Sequence, residues 1–281
     1  MNIYKKYDQA QLDLQYNNRF HVPDFQKHLD RWEELSRIAE NRLKVIKDIA
    51  YGSGFREAVD IFSSEKPNSK TLVFIHGGYW YKFDKTSFHF IARAFAGYNI
   101  TSVIINYPLV PTVPIDKTSE ACRKAINWIS KNIYQWNGNP EEIYIVGHSA
   151  GAHLATSVMM NTQENENVIR GVCAISGLYN LLPIYLSNVN DILGMDKETA
   201  LRNSPALKDP IEYNQLLLAV GSEETDEFIS QSKEYYTVLK NKSSRVEFLE
   251  ISGMNHFSIL SSLTDQESIM HKSICNMMSL K

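Results

Sequence analysis

A serine set between glycines, Gly147-His148-Ser149-Ala150-Gly151, follows the apolar run Ile143 to Val146 and precedes a helical segment. That strand-turn-helix setting gives the pattern G-x-S-x-G its chemical meaning. The glycines let the chain turn sharply, so the hydroxyl of Ser149 stands at the top of a sheet beside a helix N-terminus, as a nucleophile requires. A hydroxyl needs a base to attack at neutral pH. His256, in Gly253-Met254-Asn255-His256-Phe257, lies on a loop after the last strand-like run, where the chain order serine, acid, histidine puts the base. The other histidines fit less well. His21 and His28 belong to the N-terminal segment, His89 and His271 fall on helices, and His148 and His153 are too near Ser149 in sequence to turn back onto it.

The base in turn needs a carboxylate to bond its far nitrogen, fix the tautomer and stabilise the imidazolium. Gly221-Ser222-Glu223-Glu224-Thr225-Asp226-Glu227 offers four carboxylates just after the run Leu216 to Val220. Glu224, third after Gly221, is favoured; Asp226 is the alternative and Glu223 stays in the set. His76-Gly77-Gly78-Tyr79-Trp80 closes another apolar run, and paired glycines there expose backbone N–H groups. The amides of Gly78 and Tyr79, with that of Ala150, are expected to form an oxyanion hole, in which losing one donor costs about 100- to 1,000-fold in rate. Trp80, His76, Gly77 and Tyr179 are expected to contact substrate. The rings of Tyr79, Trp80 and Tyr179 would stack on a planar group for roughly 0.5 to 1.5 kcal/mol each.

These residues need a rigid frame. Eight strand-like runs supply one: Val45 to Tyr51, Ala58 to Phe62, Thr71 to Ile75, Ser102 to Asn106, Ile143 to Val146, Val172 to Ser176, Leu216 to Val220 and Val246 to Ile251. The first two, with Gly52 and Gly54 between them, predict an antiparallel hairpin at a sheet edge. The later runs are continuously apolar, as strands buried on both faces must be, and alternate with helical segments at Thr86 to Phe95, Lys117 to Tyr134, Ala150 to Met160 and Phe228 to Leu239. The spacing therefore predicts an α/β fold with a mainly parallel eight-stranded sheet flanked by helices, in a single domain spanning 1–281. Residues 1–45 predict a helical segment over the core, with Phe25, Leu29, Trp32, Leu35 and Ile38 at spacings of three and four. Residues 178–210 break the rhythm and carry Pro183, Pro205 and Pro210, which predicts a small cap-like insertion over the carboxyl ends of the strands. Asn161 to Asn167 reads as a polar loop.

The bulk numbers agree with one large core, at 281 residues and 43% hydrophobic content. A net charge of −3 with both signs interspersed argues against nucleic acid as a partner. No run approaches the about 18 apolar residues that span a bilayer, and the first ten residues lack a secretory apolar stretch, so a cytoplasmic protein without a membrane partner is expected. Cys122, Cys173 and Cys275 form no C-x-x-C pair and read as small buried hydrophobes. H-E-x-x-H is absent, and the five-residue step from His148 to His153 does not stack two ligands on one helix face, so no metal is expected. The sequence is compatible with a homodimer.

Taken together, HGGYW at His76 to Trp80, GHSAGAHLA at Gly147 to Ala155, SGLYNL at Ser176 to Leu181, RNSP at Arg202 to Pro205, EFISQS at Glu227 to Ser232 and the pair His256-Phe257 resemble the kynurenine formamidase (arylformamidase) family of α/β-hydrolases. Tyr16-Asn17-Asn18-Arg19 and Val22-Pro23-Asp24 are similar to the N-terminal segment of bacterial relatives. The resemblance implies the α/β-hydrolase fold and hydrolysis of a small N-formyl aryl amide, N-formyl-kynurenine in the named enzymes of tryptophan catabolism, with no metal or organic cofactor. The family acid is usually aspartate in the animal enzymes, whereas Glu224 stands here, so the choice between Glu224 and Asp226 stays open. A carboxylesterase for short acyl chains would use the same groups. A ligand-binding member of the fold that has lost catalysis would keep them for recognition alone.

Overall fold

The computed structural model describes residues 1–160, 168–209, 214–241 and 245–281; the stretch 161–167 and Pro210, the last residue of the expected insertion, lie outside the described residues. Eight strands form one sheet in the order β1-β2-β4-β3-β5-β6-β7-β8. They are β1 (Val45–Ala50), β2 (Ala58–Phe62), β3 (Ser69–Ile75), β4 (Thr101–Ile105), β5 (Gly138–His148), β6 (Ile169–Ile175), β7 (Leu216–Gly221) and β8 (Val246–Ile251). The expected edge hairpin is present: β1 pairs antiparallel with β2, and β2 with β4. From β4 onward every pairing is parallel.

The continuous apolar runs divide between the two faces with a period of two, as the pleat requires. Val73, Ile75, Val103, Ile145, Leu216 and Leu218 join the core on one side of the sheet, whereas Leu72, Phe74, Ile104, Val146, Leu217 and Ala219 join the core on the other. At full burial each such side chain contributes roughly 1.5 to 3 kcal/mol. The far edge strand, β8, keeps Glu247 and Glu250 exposed, and charge on an edge discourages pairing with another chain.

The helices, in chain order, are α1 (Gln9–Gln15), α2 (Asn18–His21), α3 (Phe25–Arg42), α4 (His89–Phe95), α5 (Ile115–Asn132), α6 (Ala150–Met159), α7 (Leu182–Leu186), α8 (Asn190–Leu193), α9 (Lys197–Arg202), α10 (Asp226–Lys240), α11 (Ser258–Ser261) and α12 (Ile269–Met277). The N-terminal segment holds three helices instead of the single one expected. Asp8 and Gln11 form a reciprocal cap that starts α1, and the Asn17 side chain accepts from the Phe20 amide at 3.3 Å to start α2. Pro23 disfavours helical backbone at Val22, which is extended (φ −123°, ψ 86°), so α2 stops and α3 starts afresh. The expected helix from Thr86 is likewise split, into a 3-10 turn over Lys85–Phe88 followed by α4.

Short hydrogen bonds tie the N-terminal helices to distant parts of the chain. Gln9 Nε2 donates to the Leu186 carbonyl at 2.9 Å, Thr225 Oγ1 to the Gln15 carbonyl at 2.7 Å, and Gln231 Nε2 to the hydroxyl of buried Tyr16 at 2.9 Å. No helix among the described residues is long and apolar enough to cross a membrane. The three cysteines are free thiols and buried.

Candidate active site

Ser149 sits between the end of β5 and the start of α6, with φ 57° and ψ −122°. That backbone is rare for a residue with a Cβ and costs on the order of 1 to 3 kcal/mol, which the packing around it must sustain. The Ser149 amide donates to the Ile175 carbonyl at 2.8 Å, clamping the turn to β6. Gly151 explains the tightness: a Cβ there would lie 2.0 Å from the Ile75 carbonyl oxygen, so α6 packs against the end of β3 only without a side chain. The first amides of a helix lack intrahelical partners, and that of Ala150 is the first of α6.

The glycine-rich loop after β3 closes on the same spot. A Cβ on Gly77 would stand 2.9 Å from Ser149 Cβ and 2.7 Å from the His148 carbonyl, so the loop touches the serine backbone. Beyond it Gly78, Tyr79 and Trp80 all have positive φ, at 103°, 46° and 57°. This coil turns consecutive side chains to opposite sides. Tyr79 faces the cavity described below and donates from its hydroxyl to the Tyr16 carbonyl at 2.7 Å. Trp80 is fully buried and donates from Nε1 to His153 Nδ1 at 3.2 Å.

Three of the expected substrate contacts therefore have other places. Trp80 packs into the core behind the loop. His76 is stacked between Phe88 and Tyr107, at ring separations of 5.6 and 4.3 Å, with its Nδ1 against the Gly77 carbonyl at 2.8 Å. Tyr179 is fully buried and stacked on Tyr235 at 4.4 Å, outside the lining of the cavity. Burial pushes the imidazoles of His76 and His153 down to about 4, so both are neutral props at physiological pH. Of the expected contacts, Gly77 and Tyr79 do line the cavity.

His256 Nδ1 lies 2.7 Å from Glu224 Oε2. The other oxygen of Glu224 accepts from Ser176 Oγ at 2.5 Å and from the Gly221 amide at 2.8 Å, so a fully buried carboxylate is held by three donors. Asp226, the alternative acid, is exposed and pairs with Lys6 at 3.1 Å; Glu223 is exposed as well. Glu227 points the other way, to Lys5 and the Tyr16 hydroxyl. His148 Nε2 lies 2.9 Å from the His256 carbonyl, which fixes the loop that carries the imidazole. Burial, then the neighbouring His256, push the His148 ring well below the usual histidine range, so it is neutral.

Ser149 and His256 open onto one cavity of about 440 Å³. Its walls are aromatic, from Trp32, Tyr79, Tyr81, Phe83, Phe88 and Phe257, and Asn188 and Val189 of the 178–210 stretch close one side. Arg56 holds the wall-forming loop by bonding the carbonyls of Phe83 (2.8 Å) and Tyr107 (3.0 Å) and the side chains of Asp84 (3.2 Å) and Asn106 (3.0 Å). Sequence reasoning missed Ser176, Trp32 and the polar rim formed by Asn18, Arg19, Lys82 and Asp191. The only signal for the rim was the Tyr16-Asn17-Asn18-Arg19 stretch, which no spacing rule links to Ser149.

Residues 72–260 match the family model described as alpha/beta hydrolase fold. The chain is 29% identical to kynurenine formamidase of Danio rerio, covering 99% of both chains, and 28% identical to that of Salmo salar, covering 94% of this chain and 92% of the relative. A solved structure from Silicibacter sp., provisionally described as a thioesterase, is 26% identical with a TM-score of 0.82 and covers 92% of this chain and 97% of its own.

Proposed function

The chain belongs to the α/β-hydrolase fold family and acts on amide or ester bonds; from that premise we propose a metal-independent serine hydrolase that removes the formyl group from a small N-formyl aryl amide. The observation that carries this reading is the aromatic cavity opening on Ser149 and His256, whose volume of about 440 Å³ suits one substituted aryl ring. The similarity to kynurenine formamidases along the chain's length supports N-formyl-kynurenine as the substrate type.

In the proposed reaction Ser149 Oγ attacks the formyl carbon while His256 Nε2 takes the hydroxyl proton. Glu224, on Nδ1, keeps Nε2 as the free base and stabilises the imidazolium. The electron pair displaced onto the formyl oxygen is met by the amides of Gly78, Tyr79 and Ala150. Collapse breaks the C–N bond, the arylamine leaves with the proton from His256, and a serine formate ester remains. Water, deprotonated by His256, then attacks that ester and releases formate, returning the proton to Ser149. A buried, uncharged surround of rings strengthens each of these charge interactions by excluding water.

Side-by-side rates on purified protein test the reading. The kcat/KM for N-formyl-kynurenine is expected to exceed that for p-nitrophenyl acetate, and Ser149→Ala to lower both by at least about 1,000-fold. An ester preference would reassign the protein as a short-acyl esterase, and undiminished turnover by the serine variant would overturn the mechanism.

A further inference from the structure

Trp80 closes the motif HGGYW and His153 follows Ser149 by four residues, yet neither lines the cavity. They bond each other inside the core instead. Both are fully buried. Their rings meet edge to face, 5.1 Å apart at 89°, with Trp80 Nε1 3.2 Å from His153 Nδ1. The second ring nitrogen sets the direction of that bond. His153 Nε2 lies 2.7 Å from the Asn203 carbonyl, which can only accept, so Nε2 carries the proton and Nδ1 keeps a lone pair. An indole N–H can only donate, so the two rings match when the imidazole is neutral. Burial, which pushes His153 down to about 4, keeps it in that form.

Asn203 is itself anchored. Its Nδ2 donates to Asp116 Oδ1 at 2.9 Å and to the Thr199 carbonyl at 3.0 Å, and Arg202 donates to both oxygens of Asp116 at 2.9 and 2.8 Å. The bonds thus run from α5 and the end of α9, through α6, to the loop after β3. At the far end they meet a strained backbone. Tyr79 and Trp80 have φ of 46° and 57°, and side-chain-bearing residues in that region persist only where their surroundings over-determine them. The Val110 amide bonds the Trp80 carbonyl at 3.0 Å and the Tyr79 hydroxyl bonds the Tyr16 carbonyl at 2.7 Å, while the indole reaches across to α6. That helix starts at Ala150, so His153 stands on the same rigid element as the third proposed oxyanion donor. Donors drawn from two chain segments must keep their relative places to within about 0.5 Å.

We propose that His153 is a positioning residue for the oxyanion hole: by accepting the Trp80 indole N–H, it sets the loop amides of Gly78 and Tyr79 against that of Ala150 on its own helix. This rests on the reading of the site as a serine hydrolase with those three amides as donors. Removing a donor outright costs about 100- to 1,000-fold in rate. Loosening the loop keeps the donors and misplaces them, so the expected loss is smaller, about tenfold, and falls on the tetrahedral state alone.

Two probes of the whole protein separate that state from ordinary binding. With phenylboronic acid, Ser149 Oγ forms a B–O bond as its proton passes to His256, and the tetrahedral boronate carries its negative charge into the hole; aniline fills the aromatic cavity without engaging it. His153→Leu and His153→Asn have nearly the same shape and both lose the bond to Asn203, but only asparagine presents an oxygen to the indole. The leucine variant is expected to bind phenylboronic acid about tenfold more weakly and to lose a similar factor in kcat, with aniline affinity and KM unchanged. The asparagine variant should regain most of that loss. Trp80→Phe, which removes the N–H and keeps His153, should match the leucine variant and decides the matter if that variant does not fold. Equal losses in the leucine and asparagine variants, or an equal weakening of aniline, overturn the positioning role. Boronate affinity that Ser149→Ala leaves intact overturns the hydrolase reading and this inference with it, whereas Ser149-dependent affinity that neither His153→Leu nor Trp80→Phe lowers overturns the inference alone.

Discussion

At the edge of the sheet His89 of α4 is enclosed between two carboxylates, its Nδ1 2.8 Å from Glu40 Oε1 and its Nε2 2.8 Å from Asp60 Oδ2. At the carboxyl end of the same sheet His256 has one carboxylate, Glu224, on Nδ1, and its other edge looks into the cavity that Ser149 shares. Both rings are buried and both bond an acid. They differ in a single leftover nitrogen. The first arrangement pins α3 and α4 to β2, and Asp60 is completed by the Asp48 amide at 2.7 Å and Lys85 at 3.3 Å. Burial alone would raise the Asp60 carboxyl, but the bond from His89, the Asp48 amide and the Lys85 charge hold it below its ordinary value. A histidine with every polar atom matched is a staple; one with a nitrogen left over on a cavity that a serine also lines can serve as a base.

The largest test of that contrast removes the acid from the open pair. Glu224→Gln keeps the shape but presents an amide to Nδ1, which disturbs the tautomer that leaves Nε2 free; kcat is expected to fall by about 10,000-fold with little change in folding. Asp226→Asn, on the exposed neighbour, should leave kcat within about twofold. A reversed ranking of the two in steady-state kinetics would break the assignment of Glu224.

The closed pair should respond in the opposite currency. His89→Leu leaves Asp60 Oδ2 facing a hydrocarbon while Oδ1 keeps the Asp48 amide and Lys85, so the loss is that of one buried acceptor left unsatisfied, about 1 to 3 kcal/mol. Urea unfolding is expected to register that loss, while kcat/KM of the folded protein stays within about threefold. Loss of turnover with stability intact would mean that the edge network reaches the active site, and the two regions could no longer be treated as separate.

Sequence carried the frame and the turn at Ser149 well, because both are local. The apolar runs had to be strands, and a serine between glycines at a strand's end had to be a tight turn. Finding which carboxylate meets His256 needed one distance, since four carboxylates within five residues differ only in which way the chain turns after Gly221. The cavity wall was less legible. Trp80 and His76 stand in the glycine-rich motif and read as substrate contacts, but the positive φ at Tyr79 and Trp80 sends alternate rings inward, into the core. The walls come instead from Trp32, Phe83, Phe88 and Phe257, which lie far apart in the chain and meet only after folding. Trp32 was recognisable as the apolar stripe of a helix; that the same stripe ends at the active site depends on where α3 crosses the sheet.

Ser176 gives the finest test, because it separates holding an acid from being one. Its hydroxyl is 2.5 Å from Glu224 Oε1, and its own backbone, at φ 54°, is anchored by the bond from its amide to the Ala219 carbonyl at 2.7 Å. In Ser176→Ala that oxygen keeps the Gly221 amide, and Oε2 keeps His256, so two of the three bonds survive. Losing one hydrogen bond to a buried carboxylate is worth about 1.5 to 3 kcal/mol at most, and part of it is recovered as the carboxylate settles. A decrease of about tenfold in kcat with KM unchanged is therefore expected, some thousandfold milder than Glu224→Gln. Ser176→Gly distinguishes the cause: glycine adopts the left-handed backbone freely but also lacks the hydroxyl, so it should show the same tenfold loss. Full activity in the glycine variant would transfer the role of Ser176 from its hydroxyl to its backbone.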